Sequence, residues 1–458
     1  MGTNSIKSNA GFFGMHRSLG LLMSVATLVA SSAGVWILFS PVETISWAGV
    51  SGLLGYALGQ ALPLLFIAFI GLRMLRALPA ESSLPKWAEL RYGRIMGFVC
   101  LLISLFYLTV FLAAELTAIG KAGALLTPLP GWTIVALITF LTWTYTNRGG
   151  FRLVVLTDLL QLSILIPILL VIFGVAIYSS PRPLLSNIIA DEPQLLSLSF
   201  VPGLKFAATL IIAIVAAQVF NQSLWQRVYA ARDDVTMRNA FIIAGLLMIP
   251  LVLACGYLGL LARDAQVGLE DPEVGIFALL LEYDALWLVA GLGIAALLLV
   301  MSSADSILNA LSSLVSEELG RHKDGKATTA SPDSNQVSRA RWITSGFAIV
   351  IALIASQGWS VLYLFLIADL VCAAAVVPIF IGLYNNRIHQ FGACISIGLG
   401  LICGILFMLR PDLSTPLISN PIGSSWLLSF SSALLISSFS ALAFIAVGSS
   451  DKISLKSS

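Results

Sequence analysis

Charge is what this chain has least of. Lys, Arg, Asp and Glu make up 10% of its 458 residues, where soluble domains carry about 25%. A water-soluble protein of this length could not cover its surface with so few. Histidine is scarcer still, with three copies (His16, His322, His389), all in polar connections. The five cysteines (Cys100, Cys255, Cys372, Cys394, Cys403) sit in apolar stretches without a close pair, which argues against a metal cluster and a disulfide framework. No histidine or cysteine stands near another candidate base or nucleophile, so an enzyme is not expected. With a net charge of +2 and no basic cluster, nucleic acid is excluded as a partner. What remains is hydrophobic: 58% of the residues. This is an all-α polytopic protein of the lipid bilayer.

A spanning helix needs about 20 apolar residues. Twelve segments qualify: 18–40, 48–75, 94–122, 129–146, 151–178, 203–223, 238–262, 284–316, 339–356, 359–384, 390–409 and 425–447. If the N-terminus is cytoplasmic, twenty of the 25 Lys and Arg fall on the cytoplasmic side and five (Lys121, Arg182, Lys205, Arg263, Arg410) outside. That asymmetry places both termini in the cytoplasm. It gives a cytoplasmic N-terminus (1–17), a polar cytoplasmic loop (317–338) and a cytoplasmic tail (448–458). No cleavable signal peptide is evident. A plasma (inner) membrane location is expected.

Ionisable groups at bilayer depth are costly and usually functional. Here they are Glu115, Asp158, Asp305 and Asp369. The eighth segment also carries a polar stripe, Ser302, Asp305, Asn309, Ser312 and Ser316, which cannot face lipid. Ser302 and Ser303 point about 100° apart on a regular helix, so both reach one ion only if it lies between this helix and a partner offering backbone carbonyls. Carbonyls come free where a helix breaks beside a cavity. The first segment has a weak run at its middle, Val29-Ala30-Ser31-Ser32-Ala33-Gly34. The sixth stops at Phe220 before Asn221-Gln222-Ser223. Interruptions at matching places in two sets of five suggest an inverted-repeat carrier with broken helices 1 and 6.

Several motifs resemble those of the sodium:solute symporter family. RGGFRLVVLTDLLQ (148–161) carries Gly149, Gly150, Thr157, Asp158 and Gln161. NQSLWQRVYAARD (221–233) carries Asn221, Gln222, Gln226, Arg227 and Ala231. VMSSADSILNALSSLVSEEL (300–319), SLPKWAELRYG (83–93) and VVPIFIGLYNNR (376–387) follow the family pattern in order. The resemblance runs from about 20 to 405. It implies the leucine-transporter fold: a 5+5 inverted repeat, 18–178 and 203–384, with two peripheral helices in 390–447. It also implies a sodium site formed by the carbonyls of Val29, Ser32 and Leu299 and the hydroxyls of Ser302 and Ser303. Asp158 matches a family acidic residue on the ion exit route. Many members carry an extra helix ahead of the first core helix; here only the first 17 residues precede it.

The expected function is sodium-coupled import of a small organic solute (amino acid, vitamin, monocarboxylate, sugar or urea-like) by alternating access. Ser31, Trp36, Gln60, Gln218, Asn221 and Gln222 are the candidate solute contacts, and Glu115, Asp305 and Asp369 are possible coupling groups. No basic residue stands at mid-depth, which speaks against a solute held by a direct ion pair. One alternative is a proton-coupled carrier relaying through Glu115, Asp158 or Asp369. Another is a non-transporting membrane sensor or scaffold, although only about 11 residues follow the last helix, too few for an output domain. Oligomeric state is not legible.

Overall fold

The computed structural model describes residues 17–77, 83–180, 183–324 and 334–447. Residues 1–16 of the expected N-terminal segment, and the expected tail 448–458, lie outside them. Among the described residues, eight helices are long and apolar enough to cross a membrane. Four shorter apolar ones, Leu21–Ser32, Gly131–Thr144, Trp342–Ala355 and Gln390–Leu406, stand at the predicted first, fourth, ninth and eleventh segments. Large apolar side chains such as Leu22, Phe69, Leu170 and Phe439 point outward and are more than 60% exposed. Lipid, not water, is the solvent that such a surface suits.

Helix α1 (Leu21–Ser32) stops because Ala33 and Gly34 leave the helical region, at φ/ψ −86/74 and −71/178. One tight turn, Val35–Leu38, leads into α2 (Ser40–Ala77). The break thus falls on the small-residue run of the first segment. Within α2 a second break lies at Gly49 (φ 64, ψ −164). Positive φ favours glycine, and a Cβ here would stand 2.4 Å from the carbonyl oxygen of Leu195.

Helix α3 (Arg94–Leu126) is followed by α4 (Gly131–Ser179), one helical element where two segments were predicted. It cannot be straight. Gly131 packs on Gly120 of α3, near Leu126, which meets Gly293; Ile168 meets Gly291. Residues 131 and 168 therefore share one end of the bundle, yet a straight helix would set them about 55 Å apart. The chain reverses between the apolar windows Gly131–Thr144 and Val154–Ser179.

The sixth segment is split into α5 (Val201–Gln218) and α6 (Gln222–Ala230), whose residues are all buried. Asn221 caps α6: its side-chain oxygen accepts from the backbone N–H (3.1 Å) and hydroxyl (2.7 Å) of Ser223. There follow α7 (Asp234–Asp264), α8 (Leu286–Asp324), α9 (Ser334–Ala355), α10 (Val361–Phe380), α11 (Gln390–Leu406) and α12 (Trp426–Val447). Within the stretch expected as a loop, 317–338, α8 runs on to Asp324 and α9 begins at Ser334, and residues 325–333 lie outside the described residues. Glu317, Glu318, Arg321 and Lys323 continue the helix after the apolar run ends.

Lipid offers helices no hydrophobic reason to associate, so small residues and hydrogen bonds hold them. A Cβ on Gly55 of α2 would fall 2.2 Å from that of Ala207 on α5; one on Gly203 would fall 2.1 Å from the carbonyl oxygen of Ala48. Both ends of the bundle are tied. At one, the Leu19 N–H donates to the Ala230 carbonyl (2.9 Å), the Arg232 N–H to the Leu19 carbonyl (2.8 Å), and Arg17 pairs with Asp234 (3.1 Å). At the other, Lys121 pairs with Glu273 (2.5 Å) and Asp271 (3.1 Å), and Glu273 accepts from the Val361 N–H (2.6 Å). Nearby, Arg263 donates to Glu192 at 2.9 and 2.6 Å and holds that carboxyl below its ordinary range.

Candidate functional site

The break of α1 faces the middle of α8, where Ser302 and Ser303 diverge as the helical geometry requires. The Ser302 hydroxyl donates to Asp158 Oδ1 (2.6 Å) and lies 3.3 Å from the Ala30 carbonyl. The Ser303 hydroxyl donates to Glu115 Oε2 (2.6 Å) and lies 3.1 Å from the Leu299 carbonyl. Each serine thus bridges a carboxylate and a main-chain oxygen. The α1 carbonyl that Ser302 meets belongs to Ala30, outside the predicted set. The Val29 carbonyl accepts the Ala33 N–H (2.8 Å) and that of Ser32 accepts the Trp36 indole (3.2 Å). The Ser32 hydroxyl is buried without a hydrogen-bond partner.

The two carboxylates differ. Asp158 accepts from Thr27, Ser302 and Arg227, the last at 2.9 Å. Arg227, counted above among cytoplasmic charges, is only 2% exposed, so the interior does hold a basic residue. Its other N–H groups reach the Thr27 carbonyl and hydroxyl (both 3.1 Å), the Ser223 carbonyl (3.0 Å) and the Ser306 hydroxyl (3.0 Å). One guanidinium therefore ties α1, α4, α6 and α8 together. Its position on a buried half-helix is what the charge count missed.

Glu115 has no ion pair among the described residues. It accepts from the backbone N–H groups of Val35 (2.7 Å) and Trp36 (3.3 Å), the opening of the turn after the break. Unpaired N–H groups at a helical start favour a negative charge. Gly34 makes this approach possible, since a Cβ there would come within 2.4 Å of Glu115 Oε1. Gly34→Ala is expected to push the carboxylate out of place and cost about 1–3 kcal/mol. Thermal unfolding in lipid nanodiscs checks it, and adding Glu115→Ala should recover much of the loss. Asp305 lies one turn further along α8 and accepts from the Thr157 hydroxyl (3.2 Å).

On the other side of the break is a small cavity between α2, α3, α5 and α10. Three of the candidate solute contacts, Trp36, Gln60 and Gln218, line it, and so does Asp369, a candidate coupling group. Trp36 stacks on Tyr56 (5.5 Å between ring centres), and Tyr107, Phe111 and Phe365 complete an aromatic wall. The other candidate contacts lie off the cavity. Ser31 lies 3.3 Å from the Leu28 carbonyl, Asn221 caps α6, and the Gln222 side-chain oxygen is buried without a partner. The aromatic residues were missed because tyrosine and phenylalanine in apolar runs look like any packing residue.

A bilayer-spanning helical bundle broken at two places, with a polar seam and a cavity beside the first break, has the architecture of a membrane carrier. A family model described as the sodium:solute symporter family matches residues 12–400, and the chain belongs to that family. It is similar to the spermidine transporter DUR31 of Candida albicans, 28% identical over 399 residues, 86% of this chain and 73% of that one. It is also similar to the probable urea active transporter 1 of Schizosaccharomyces pombe, 25% identical over 84% of this chain and 62% of that one. A solved Na+-coupled sialic acid symporter, substrate-bound and outward-open, superposes with a TM-score of 0.73 at 16% identity, covering 97% and 93% of the two chains. At that identity the likeness shows the fold, which is that of leucine-transporter-like symporters.

Proposed function

We propose that the chain imports a small organic solute together with sodium by alternating access. The observation that carries this is the seam of Ser302 and Ser303 against the broken α1. Two hydroxyls, the Ala30 and Leu299 carbonyls and two carboxylates collect there at the depth where oxygen donors could replace sodium's water shell. The predicted Val29 and Ser32 carbonyls complete the donor set as α1 moves. Sodium ties α8 to α1 and favours the state that accepts solute, so solute must raise sodium affinity by the same factor. The membrane potential adds about 2.3 kcal/mol per charge per 100 mV. Residues 18–178 and 203–384 act as the two inverted repeats, with 390–447 peripheral. Both termini are cytoplasmic and the membrane is the plasma membrane.

The named relatives are a spermidine transporter and a probable urea active transporter, so both solutes are first candidates. Purified protein in proteoliposomes is expected to accumulate one of them at least ~10-fold faster under an inward sodium gradient. Uptake indifferent to sodium overturns the coupling. A second reading is favoured by Glu115: a carboxylate without a cation partner in the seam could carry a proton in sodium's place. Uptake driven by a pH gradient alone would select it.

A further inference from the structure

We propose that the solute is an organic cation whose ammonium head pairs with Asp369. This rests on the carrier reading above and takes the aromatic cavity as the solute's seat. Asp369 stands mid-way along α10, 5% exposed, and lines that cavity. Among the described residues no hydrogen bond or ion pair reaches its carboxyl group. The buried Arg227 is committed to Asp158, and the half-buried Lys121 to Glu273 and Asp271. No Lys, Arg or His lines the cavity. The absence of a basic residue at the seat, taken above to disfavour an ion pair, therefore disfavours only an anionic solute.

The walls point the same way. Trp36 and Tyr56 stack, and Phe111 meets Tyr107 and Phe365 edge-on at 5.8 and 5.0 Å. Aromatic faces attract a diffuse positive charge and pack against methyl and methylene groups. A bare sodium ion wants a shell of hard oxygens, which rings do not supply. An alkylammonium wants one carboxylate, a few polar acceptors and an apolar wall. Asp369, the Gln60 and Gln218 amides and the five rings are that combination. A buried carboxylate is costly without a cation, and an arriving ammonium removes that cost.

The test uses the full chain in lipid nanodiscs with sodium present, measuring binding calorimetrically. Putrescine and choline are compared with their uncharged isosteres, 1,4-butanediol for the former and 3,3-dimethylbutan-1-ol for the latter, and with urea. At least one ammonium compound is expected to bind, and its uncharged counterpart is not. Asp369→Asn is expected to weaken ammonium binding about 30-fold or more, and Asp369→Glu, which keeps the charge, to retain part of it. The isostere comparison needs no variant, so it stands even if Asp369→Asn fails to fold. Binding of urea but of no ammonium compound overturns the proposal, as does absence of ammonium binding altogether or equal binding by Asp369→Asn. Ammonium binding through Asp369 without sodium-driven uptake would sink the symport reading and leave this one intact. Sodium-driven uptake of urea alone would do the reverse.

Discussion

Arg227→Met is expected to lower the stability of the protein by about 3–5 kcal/mol, because it strands the buried carboxylate of Asp158. Both side chains are almost fully buried, at 1% and 0% exposure, and lie 2.9 Å apart. Taking such a pair out of water is costly, and their attraction offsets this only while both are present. Asp158→Asn should be nearly as harmful, since it leaves the guanidinium uncompensated. The double variant, Arg227→Met with Asp158→Asn, is expected to recover a large part of the loss but not all. The Thr27 and Ser223 carbonyls would still lose the N–H groups that Arg227 donates, and an unmet buried acceptor costs about 1–3 kcal/mol. Unfolding of the four proteins in nanodiscs gives the coupling energy directly. Additive single losses would mean that the pair contributes nothing as a pair.

That pair also marks where sequence reasoning stops. The break in α1 could be read from Ser31-Ser32-Ala33-Gly34, a run of weak helix preference at the centre of an apolar segment, taken together with the two serines that need carbonyls opposite them. The break before α6 could be read from Asn221, a strong cap. Ser302 and Ser303 followed from their depth, and the resemblance added the order of the motifs. Arg227 could not be placed, because a buried half-helix and a cytoplasmic loop look alike in charge counts. Asp369 was visible as an intramembrane acid, but its neighbours come from three other helices, α2, α3 and α5, and from the turn Val35–Leu38 that follows the break. No local pattern in the chain records that meeting. Glu115 was visible for the same reason, while its place against Val35 and Trp36 depended on the approach that Gly34 permits.

Glu115→Gln is expected to weaken sodium binding on the order of 100-fold, where Ser302→Ala weakens it about 10-fold. The difference follows from what each group brings to the seam. Ser302 serves Asp158, whose charge Arg227 already balances. Ser303 serves Glu115, which is held by two backbone N–H groups and a hydroxyl and by no cation among the described residues. Glu115 is thus the negative charge that a sodium ion between α1 and α8 can still neutralise. Ser303→Ala should fall with Glu115→Gln rather than with Ser302→Ala, because it removes the hydroxyl that holds the carboxylate toward the seam. The sodium dependence of uptake and the sodium-induced rise in thermal stability both report it, the second without needing the solute. If Glu115→Gln leaves both unchanged, the ion does not bind at this carboxylate. If instead wild type needs no sodium and Glu115→Gln abolishes uptake driven by a pH gradient, the same residue carries a proton, and the coupling ion changes while its seat does not.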